Sequence, residues 1–347
     1  MSATGPIDPA GGAQRWRSLA GMAAALAVAA VLPQLGAYPV FLMDVLCFAL
    51  FACSFNLLIG FTGLLSFGHA AFFGAAAYVT GHALREWGLP TGLGLLAGMA
   101  AAGFLGLVIG GLAIRRSGIY FTMITLALAQ MLYFVFLQAP FTHGEDGLQG
   151  IPRGRLFGLD LQDDLVLYYL VLAIFAAAYL LIQRIVESPF GQALAAVRDN
   201  EARATSLGYA TNRIKLLAFV LSATLSGLAG SLKAVLLGFA SLSDAHWSTS
   251  GLVVLIVLVG GVGTLSGPVV GALVVIGLEN KIGDIGAGLA KITGISWFSG
   301  LGEAVTIVTG LIFVGCVMSF RRGVVGELAL WLRRRGMGSG QDAGALH

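Results

Sequence analysis

The stretch FLMDVLCFALFACSFNLLI, residues 41–59, decides the fold class, because Asp44, Ser54 and Asn56 are the only strongly polar side chains in it. A helix through the hydrocarbon core needs about 20 predominantly apolar residues. Stretches of the same kind recur at Leu19–Leu35, Gly92–Ile114, Gly118–Gln138, Leu165–Val186, Ile214–Phe239 and Leu301–Phe320. Two further apolar stretches, Leu64–Thr80 and Leu252–Leu278, are broken by glycine. Of the 347 residues 57% are hydrophobic and 11% charged, whereas soluble domains carry about 25% charged residues. One soluble core of this size has no room for so much apolar surface. The 50 glycines fit a membrane bundle, in which small residues let helices approach closely. The expected fold class is an all-α polytopic membrane protein.

Orientation follows from the basic residues, which concentrate on the cytoplasmic side. With Arg15 and Arg17 inside, Arg115 and Arg116 also fall inside, as do Arg184, Arg198, Arg203, Arg213 and Lys215. The acidic loop from Ala139 to Asp164 falls outside. Counting Leu252–Leu278 as one crossing would put Arg321, Arg322 and Arg333 to Arg335 outside, against the rule. A turn over Gly261–Pro268 between two short membrane elements restores parity. The expected topology has about ten membrane segments, some Gly-broken or re-entrant, with both termini cytoplasmic. In that layout residues 1–18 are a disordered N-terminus, 19–320 the membrane domain with a cytoplasmic loop at 187–213, and 321–347 a cytoplasmic tail. The run behind Arg15 and Arg17 reads as a retained first helix rather than a signal peptide, since no clear cleavage site precedes a soluble domain.

Four constellations invite a functional reading. The first is Asn56 to Gly74, where glycines interrupt the helix and free backbone groups that need partners inside protein or a wet cavity. Asn56, Thr62, Ser66 and His69 add polar side chains at membrane depth, the setting in which transporters place substrate sites. Helix packing with interhelical hydrogen bonds is the competing reading. Thr122, Thr125 and Gln130 complete the candidate substrate pathway. The second, Gly260-Gly261-Val262-Gly263-Thr264-Leu265-Ser266-Gly267-Pro268, matches neither phosphate-binding motif: no lysine follows, and the third glycine comes one residue late. A hinge or re-entrant turn explains Gly260, Gly261, Gly263, Gly267 and Pro268 better.

The third runs from Glu187 to Asn212. Ser188 caps a helix with Pro189 at its first position, and Phe190, Ala193, Leu194, Val197, Ala204 and Leu207 supply apolar contacts around Arg198, Asp199, Glu201 and Arg203. An amphipathic helix pair with few basic residues suits a groove on a soluble partner better than a lipid surface. The fourth is the loop Phe141–Pro152, a structured turn region near an outer mouth in which Glu145 and Asp146 diverge too far for paired-carboxylate hydrolysis. Cys47, Cys53 and Cys316 lie in apolar runs without metal or disulfide spacing, so neither metal nor cofactor is expected. The net charge of +3 gives no reason to expect nucleic acid as a partner.

Several of these stretches, in order, resemble the LivM-type permease subunits of branched-chain amino acid ABC importers. The resemblance runs from about Phe41 to Arg322. It is carried by Asn56–Ala77, Arg116–Ala127, Gly144–Pro152, Ser188–Gly208 with Lys215–Gly230, and Gly260–Pro268. It implies an importer of the bacterial inner membrane with a second homologous permease subunit of the LivH type, two cytoplasmic ABC ATPases and a periplasmic substrate-binding protein. ATP is then bound elsewhere, so this chain is no enzyme. Ser188–Gly208 becomes the coupling segment, with Arg198, Asp199, Asn200, Glu201, Arg203 and Gly208 against the ATPase. Glu201-Ala202-Arg203 and Gly208 approximate the Glu-Ala-Ala…Gly pattern, with Arg203 in place of the second alanine. His143 stands where many relatives carry glycine. Relatives within the family also serve urea, short amides or aromatic acids.

Three readings of other classes remain open on the residues, one of them a passive channel, which substrate flux without ATP would reveal. An ion-coupled secondary transporter needs an ionisable residue deep in the membrane, and Asp44, Lys233, Glu279 and Glu303 lie toward segment ends. An intramembrane enzyme needs a catalytic dyad or a metal motif, and none stands out.

Overall fold

A computed structural model of the chain describes residue 21, residues 24–156 and 158–293, and the single positions 310, 311, 314, 323 and 326; for residue 159 and residues 282–293 it describes the backbone alone. The decisive stretch lies within α2, Pro39–Thr62, preceded by the short apolar helix α1, Ala24–Leu35. Pro39 opens α2, where its missing N–H costs nothing. Gly63, at φ 73°, closes it by donating to Ile59 O. The remaining helices are α3 (His69–Arg85), α4 (Thr91–Ala113), α5 (Ile119–Gln138), α6 (Asp164–Val186), α7 (Pro189–Asp199), α8 (Glu201–Ser206), α9 (Thr211–Leu237), α10 (Trp247–Gly260) and α11 (Gly267–Thr293). Among the described residues five helices, α2, α4, α5, α6 and α9, are long and apolar enough to cross a membrane.

The bundle is built around α2 and α9. The apolar window of α2 is 89% buried and that of α9 72%, against 22% for α5. α9 packs on α2, α3 and α4, and α2 also meets α6, α10 and α11. Lipid gives no hydrophobic drive for helices to associate, so van der Waals fit through small residues holds them. Gly230 of α9 shows such a close approach. A Cβ there would strike the Phe73 carbonyl oxygen and lie 2.7 Å from its carbon. The outward faces of α4 and α5 expose Leu96, Phe104, Leu107, Met123, Met131 and Phe134.

One end of the bundle carries two small antiparallel pairs. β1 (Leu148–Gln149) joins β4 (Phe239–Ala240) in the register Leu148↔Ala240, and β2 (Arg155–Leu156) joins β3 (Leu159–Asp160). Arg85 donates to Gln149 O at 2.7 Å and Thr91 to Arg153 O at 2.8 Å. Arg153 in turn reaches Asp164 Oδ1 at 2.6 Å and Leu236 O at 3.1 Å. The loop after α5 is thus tied to the ends of α3 and α9 and the starts of α4 and α6. Trp87, Phe141, Phe239 and Trp247 are exposed at this strand end, as aromatic residues are at membrane interfaces. The opposite end carries the α7–α8 pair.

Two expectations change. Leu64–Thr80 is no glycine-interrupted crossing: residues 63–68 are non-helical, and α3 then runs unbroken from His69 to Arg85. Gly74, read as a break, is helical because its missing side chain makes room for Ala245. Leu252–Leu278 does split at its glycines, but into one short helix and one long one, of 14 and 27 residues. Leu301–Phe320 and the outer segments 1–18 and 321–347 fall almost wholly outside the described residues. Gly323, which is described, lies against Gly260 and Gly261.

Candidate functional site

Residues 63–68 lead from the α7–α8 end of α2 back into the bundle, where α3 begins. His69 pairs with Ser222, eleven residues along α9 from Thr211, which places the start of α3 about 16 Å along that helix from its first residue. A non-helical segment inside the bundle must be satisfied by protein. Thr122 Oγ1 donates to Leu65 O at 2.8 Å, Gly68 N–H donates to Ser66 Oγ at 3.2 Å, and Leu64 N–H donates to Thr62 Oγ1 at 3.3 Å. Thr62 itself donates to Leu58 O at 2.5 Å. Gly68 lies directly against the Thr125 carbonyl, and Thr125 Oγ1 donates to Thr122 O. At the start of α3, Ala70 N–H donates to Ser250 Oγ at 2.9 Å.

The hydrogen-bond pattern fixes the tautomer of His69. Ser222 Oγ gives its proton to Ser54 O at 2.6 Å, so at 2.9 Å it accepts from His69 Nε2–H. His69 Nδ1 is therefore bare, and it is buried without a partner. The rings of Phe55, Phe72 and Phe219 stand edge-on around the imidazole at 5.2, 5.4 and 5.5 Å. Sequence reasoning missed the seam that continues from it, Ser54 on Ser226 at 2.7 Å and Thr80 on Ser231 at 2.8 Å. Its signal was the four-residue spacing of Ser222 and Ser226, which puts both on one face of α9.

Of the candidate pathway residues, Thr62, Ser66, His69, Thr122 and Thr125 gather around the 63–68 segment. Asn56 faces elsewhere. Its Nδ2 donates to Thr264 O at 2.8 Å and its Oδ1 accepts from Gly263 N–H at 2.9 Å, so it clamps the α10–α11 turn onto α2. Gln130 is half-buried on α5, two turns further toward the strand end. In the turn, Gly261 and Gly263 have φ 122° and 77°, and Thr264 Oγ1 donates to Gly261 O while accepting from Gly267 N–H. A Cβ on Gly260 would collide with the Gly267 carbonyl, which explains two glycines where α10 and α11 meet. Pro268 sits in the first turn of α11, where its missing N–H has no carbonyl to lose.

The α7–α8 pair forms as its residues dictate. Ser188 Oγ accepts from Gly191 N–H, and Asn200 Oδ1 caps α8 by accepting from Arg203 N–H at 2.9 Å. Leu194, Val197 and Ala204 are buried, and α7 packs on α2, α6 and α9. Arg198 donates to Gly60 O at 2.6 Å, in the last turn of α2, and lays its stem across Gly63. Glu201 pairs with Lys215 of α9 at 2.5 Å. Asp199 and Arg203 are exposed, and Gly208 turns the chain at φ 90°. Leu207, expected among the apolar contacts of this pair, lies beyond the last turn of α8 and is 72% exposed, with Tyr209 beside it also exposed.

Asp44 and Lys233 lie near helix ends as expected, in the second turn of α2 and the last turns of α9, and the fold brings them together with Asp244. A separate cavity of about 510 Å³ lies between α1, α2, α6 and α11, lined mainly by apolar side chains such as Leu26, Leu46, Phe175 and Val269. Cys47 and Cys53 are buried free thiols. Among the described residues no group of three His, Cys, Asp or Glu side chains is placed to hold a metal ion.

A multi-pass α-helical bundle with a braced non-helical segment inside it and an amphipathic helix pair clamped to its central helix is the frame of a membrane transport subunit. Residues 37–317 match the family described as the permease component of branched-chain amino acid transport systems. The chain belongs to that family. It is 31% identical over 250 residues to the high-affinity branched-chain amino acid transport system permease protein LivM of Escherichia coli, covering 64% of this chain and 58% of that protein. The LivM protein of Salmonella typhimurium is 32% identical over 248 residues, with the same coverage. The autoinducer 2 import system permease protein LsrC of Klebsiella pneumoniae is 34% identical over 181 residues, half of each chain. The chain thus spans somewhat over half the length of the LivM relatives. No solved structure matches it.

Proposed function

We propose that this chain is the transmembrane permease subunit of a binding-protein-dependent ABC importer, moving branched-chain amino acids across the bacterial inner membrane by alternating access. The observation that carries the reading is the α7–α8 pair: buried on one side, joined by Arg198 to the last turn of the central helix, and presenting Leu207 and Tyr209 on the other. Such a helix pair transmits a push from a soluble partner to α2. The push biases an equilibrium only if the partner binds the two membrane states unequally. Two partner ATPases supply that difference, a LivH-type permease forms the other half of the pathway, and a periplasmic binding protein docks on the loop after α5.

In this reading Arg198, Asp199, Asn200, Glu201, Arg203 and Gly208 form the coupling segment. Thr62, Ser66, His69, Thr122, Thr125 and Gln130 frame the route, with Asn56 holding the turn at Gly260–Pro268 that serves as hinge. Membership of the family and the basic residues around α7 and α8 support an arrangement of ten segments with that end, and both termini, in the cytoplasm. The domain limits at 18, 187–213 and 320 follow from the same arrangement. The likeness to LsrC favours a second reading within the family, a permease for another small solute such as urea, short amides or aromatic acids. The interior placement of Lys233 and Asp244 favours an ion-coupled carrier as the rival of another class.

One experiment separates the three. Proteoliposomes holding the complex, with ATP inside the ATPase-facing compartment and the binding protein outside, are assayed for leucine, isoleucine, valine and urea. Uptake of the three amino acids that requires ATP is the expected result. Uptake of urea alone replaces the substrate class, and uptake driven by an ion gradient with the ATPases omitted overturns the importer reading.

A further inference from the structure

Three charged side chains from separate parts of the sequence meet inside the bundle toward the strand end. Lys233 of α9 donates to Asp244 Oδ1 at 2.7 Å, and the two side chains are only 15% and 10% exposed. The same ammonium group lies 4.8 Å from the ring centroid of Phe48 and 5.7 Å from that of Phe73, two rings that stack on each other. Asp44 stands one turn before Phe48 on the same stripe of α2. Its charged neighbours among the described residues are Lys233, Asp244 and Glu279. Asp44 Oδ1 is buried without a hydrogen-bond partner. The hydroxyl of Tyr78, fully buried and within the field of Asp244, also has none.

The charges do not balance. Asp244 neutralises Lys233, which leaves Asp44 with no cation of its own among those neighbours and with unused acceptor capacity. An ionisable residue kept in the membrane interior marks a functional site by default. Lys233 carries three N–H donors and spends one on Asp244, while the aromatic rings fix where the ammonium sits. The site therefore offers a carboxylate oxygen without a partner and, in its electrostatic reach, an ammonium pinned by two rings. A neutral solute leaves Asp44 uncompensated, a divalent cation is repelled by Lys233, and a proton or monovalent cation answers Asp44 but leaves the remaining Lys233 donors unused. A group with its own ammonium and carboxylate on neighbouring atoms meets both.

We propose that Asp44 and Lys233, the latter held by Asp244, Phe48 and Phe73, recognise the head group of a zwitterionic α-amino acid on its way through the bundle. Asp44 accepts hydrogen bonds from the ligand ammonium, and Lys233 donates to the ligand carboxylate. No covalent bond changes. The proposal rests on the transport reading above, and it places part of the selectivity in the permease itself.

The test uses the complete complex with its partner permease and ATPases, in nanodiscs and without the binding protein. Bound tritiated leucine is displaced by leucine, by leucinamide, which lacks the carboxylate, and by 4-methylpentanoate, which lacks the ammonium. In the wild type each analogue is expected to compete at least tenfold more weakly than leucine. In Asp44→Asn, leucine is expected to fall to the level of 4-methylpentanoate, whose own competition stays unchanged. Competition by 4-methylpentanoate equal to that of leucine overturns the proposal without recourse to any variant. So does an Asp44→Asn complex that binds leucine like the wild type, or a wild-type complex that takes up leucine with ATP yet binds none at millimolar concentration. In each of these cases ATP-dependent uptake by the wild type keeps the transport reading intact; loss of both binding and uptake in the wild type sinks both.

Discussion

Replacing Asn56 by leucine separates a clamp from a substrate contact. The two side chains have similar size, so the change removes polarity while leaving the packing volume of α2 nearly intact. It deletes the bonds to Thr264 O and from Gly263 N–H, at 2.8 and 2.9 Å. Each backbone group left buried without a partner costs about 1–3 kcal/mol. Asn56 is 2% exposed, but Gly263 and Thr264 are half-buried, so water can recover part of the loss. About 2 kcal/mol is the net expectation. Asn56→Asp should cost a similar amount, because it keeps the acceptor for Gly263 but turns a carboxylate oxygen toward the Thr264 carbonyl. The measurement is thermal unfolding of the purified protein in detergent, paired with uptake assays in the assembled importer. Both variants should lower the midpoint, and both should reduce the rate of uptake with no change in preference among leucine, isoleucine and valine. A midpoint within measurement error of the wild type, together with altered substrate preference, would refute the clamp and return Asn56 to the pathway wall.

Gly230→Ala should destabilise the bundle by about 1–3 kcal/mol, because its new methyl meets the backbone of Phe73, which cannot rotate away; Gly111→Ala, which meets nothing within 4 Å, is the control, and equal midpoints for the two would contradict the packing. His143 is the one non-glycine residue with positive φ among the described residues, at 58°, so His143→Gly should raise stability by about 0.5–1 kcal/mol in the same assay. Glu201→Lys alone should uncouple ATP hydrolysis from uptake by placing two cations together, and adding Lys215→Glu should restore coupling; a double variant no better than the single one would rule out the pair as the link between α8 and α9. Leu207→Asp should leave the permease folded, since the side chain touches little in the chain, while weakening its hold on the ATPases in pull-down; unchanged retention of the ATPases would remove Leu207 from that interface.

Chain-local features were legible from sequence to the extent that they depend on neighbouring residues. α2 extends only a few residues beyond the 41–59 run, because Pro39 and Gly63 are recognisable stops. The turn at Gly261–Ser266 and the Ser188 cap were legible for the same reason. Gly74 was not, since a glycine that breaks a helix and one that admits Ala245 look alike until the partner is known. Asn56 was recognisable as a polar group at depth, but its direction depends on a turn about 200 residues away. The meeting of Asp44, Lys233 and Asp244 was invisible because each, taken alone, sits near the end of its own segment. His143 shows the converse: its unusual place among relatives had no evident meaning until the backbone at that position proved to be left-handed.

The late start of α3 has an electrical consequence. A helix concentrates the equivalent of about half a positive charge at its N-terminus, and α3 places that end inside the bundle, beside the neutral Ser250 hydroxyl and with no carboxylate among its hydrogen-bond partners in the described residues. At 10 Å, with an effective dielectric of about 20, it repels a monovalent cation by about 0.8 kcal/mol, while the opposite half charge at the C-terminal end of α2, where the same segment begins, attracts one. A zwitterion carries no net charge and crosses the same field almost unopposed. Oriented half-helices are one means by which pores exclude cations. In the transport reading proposed above, the start of α3 is the point on a route past the 63–68 segment that would favour a zwitterion over a bare cation.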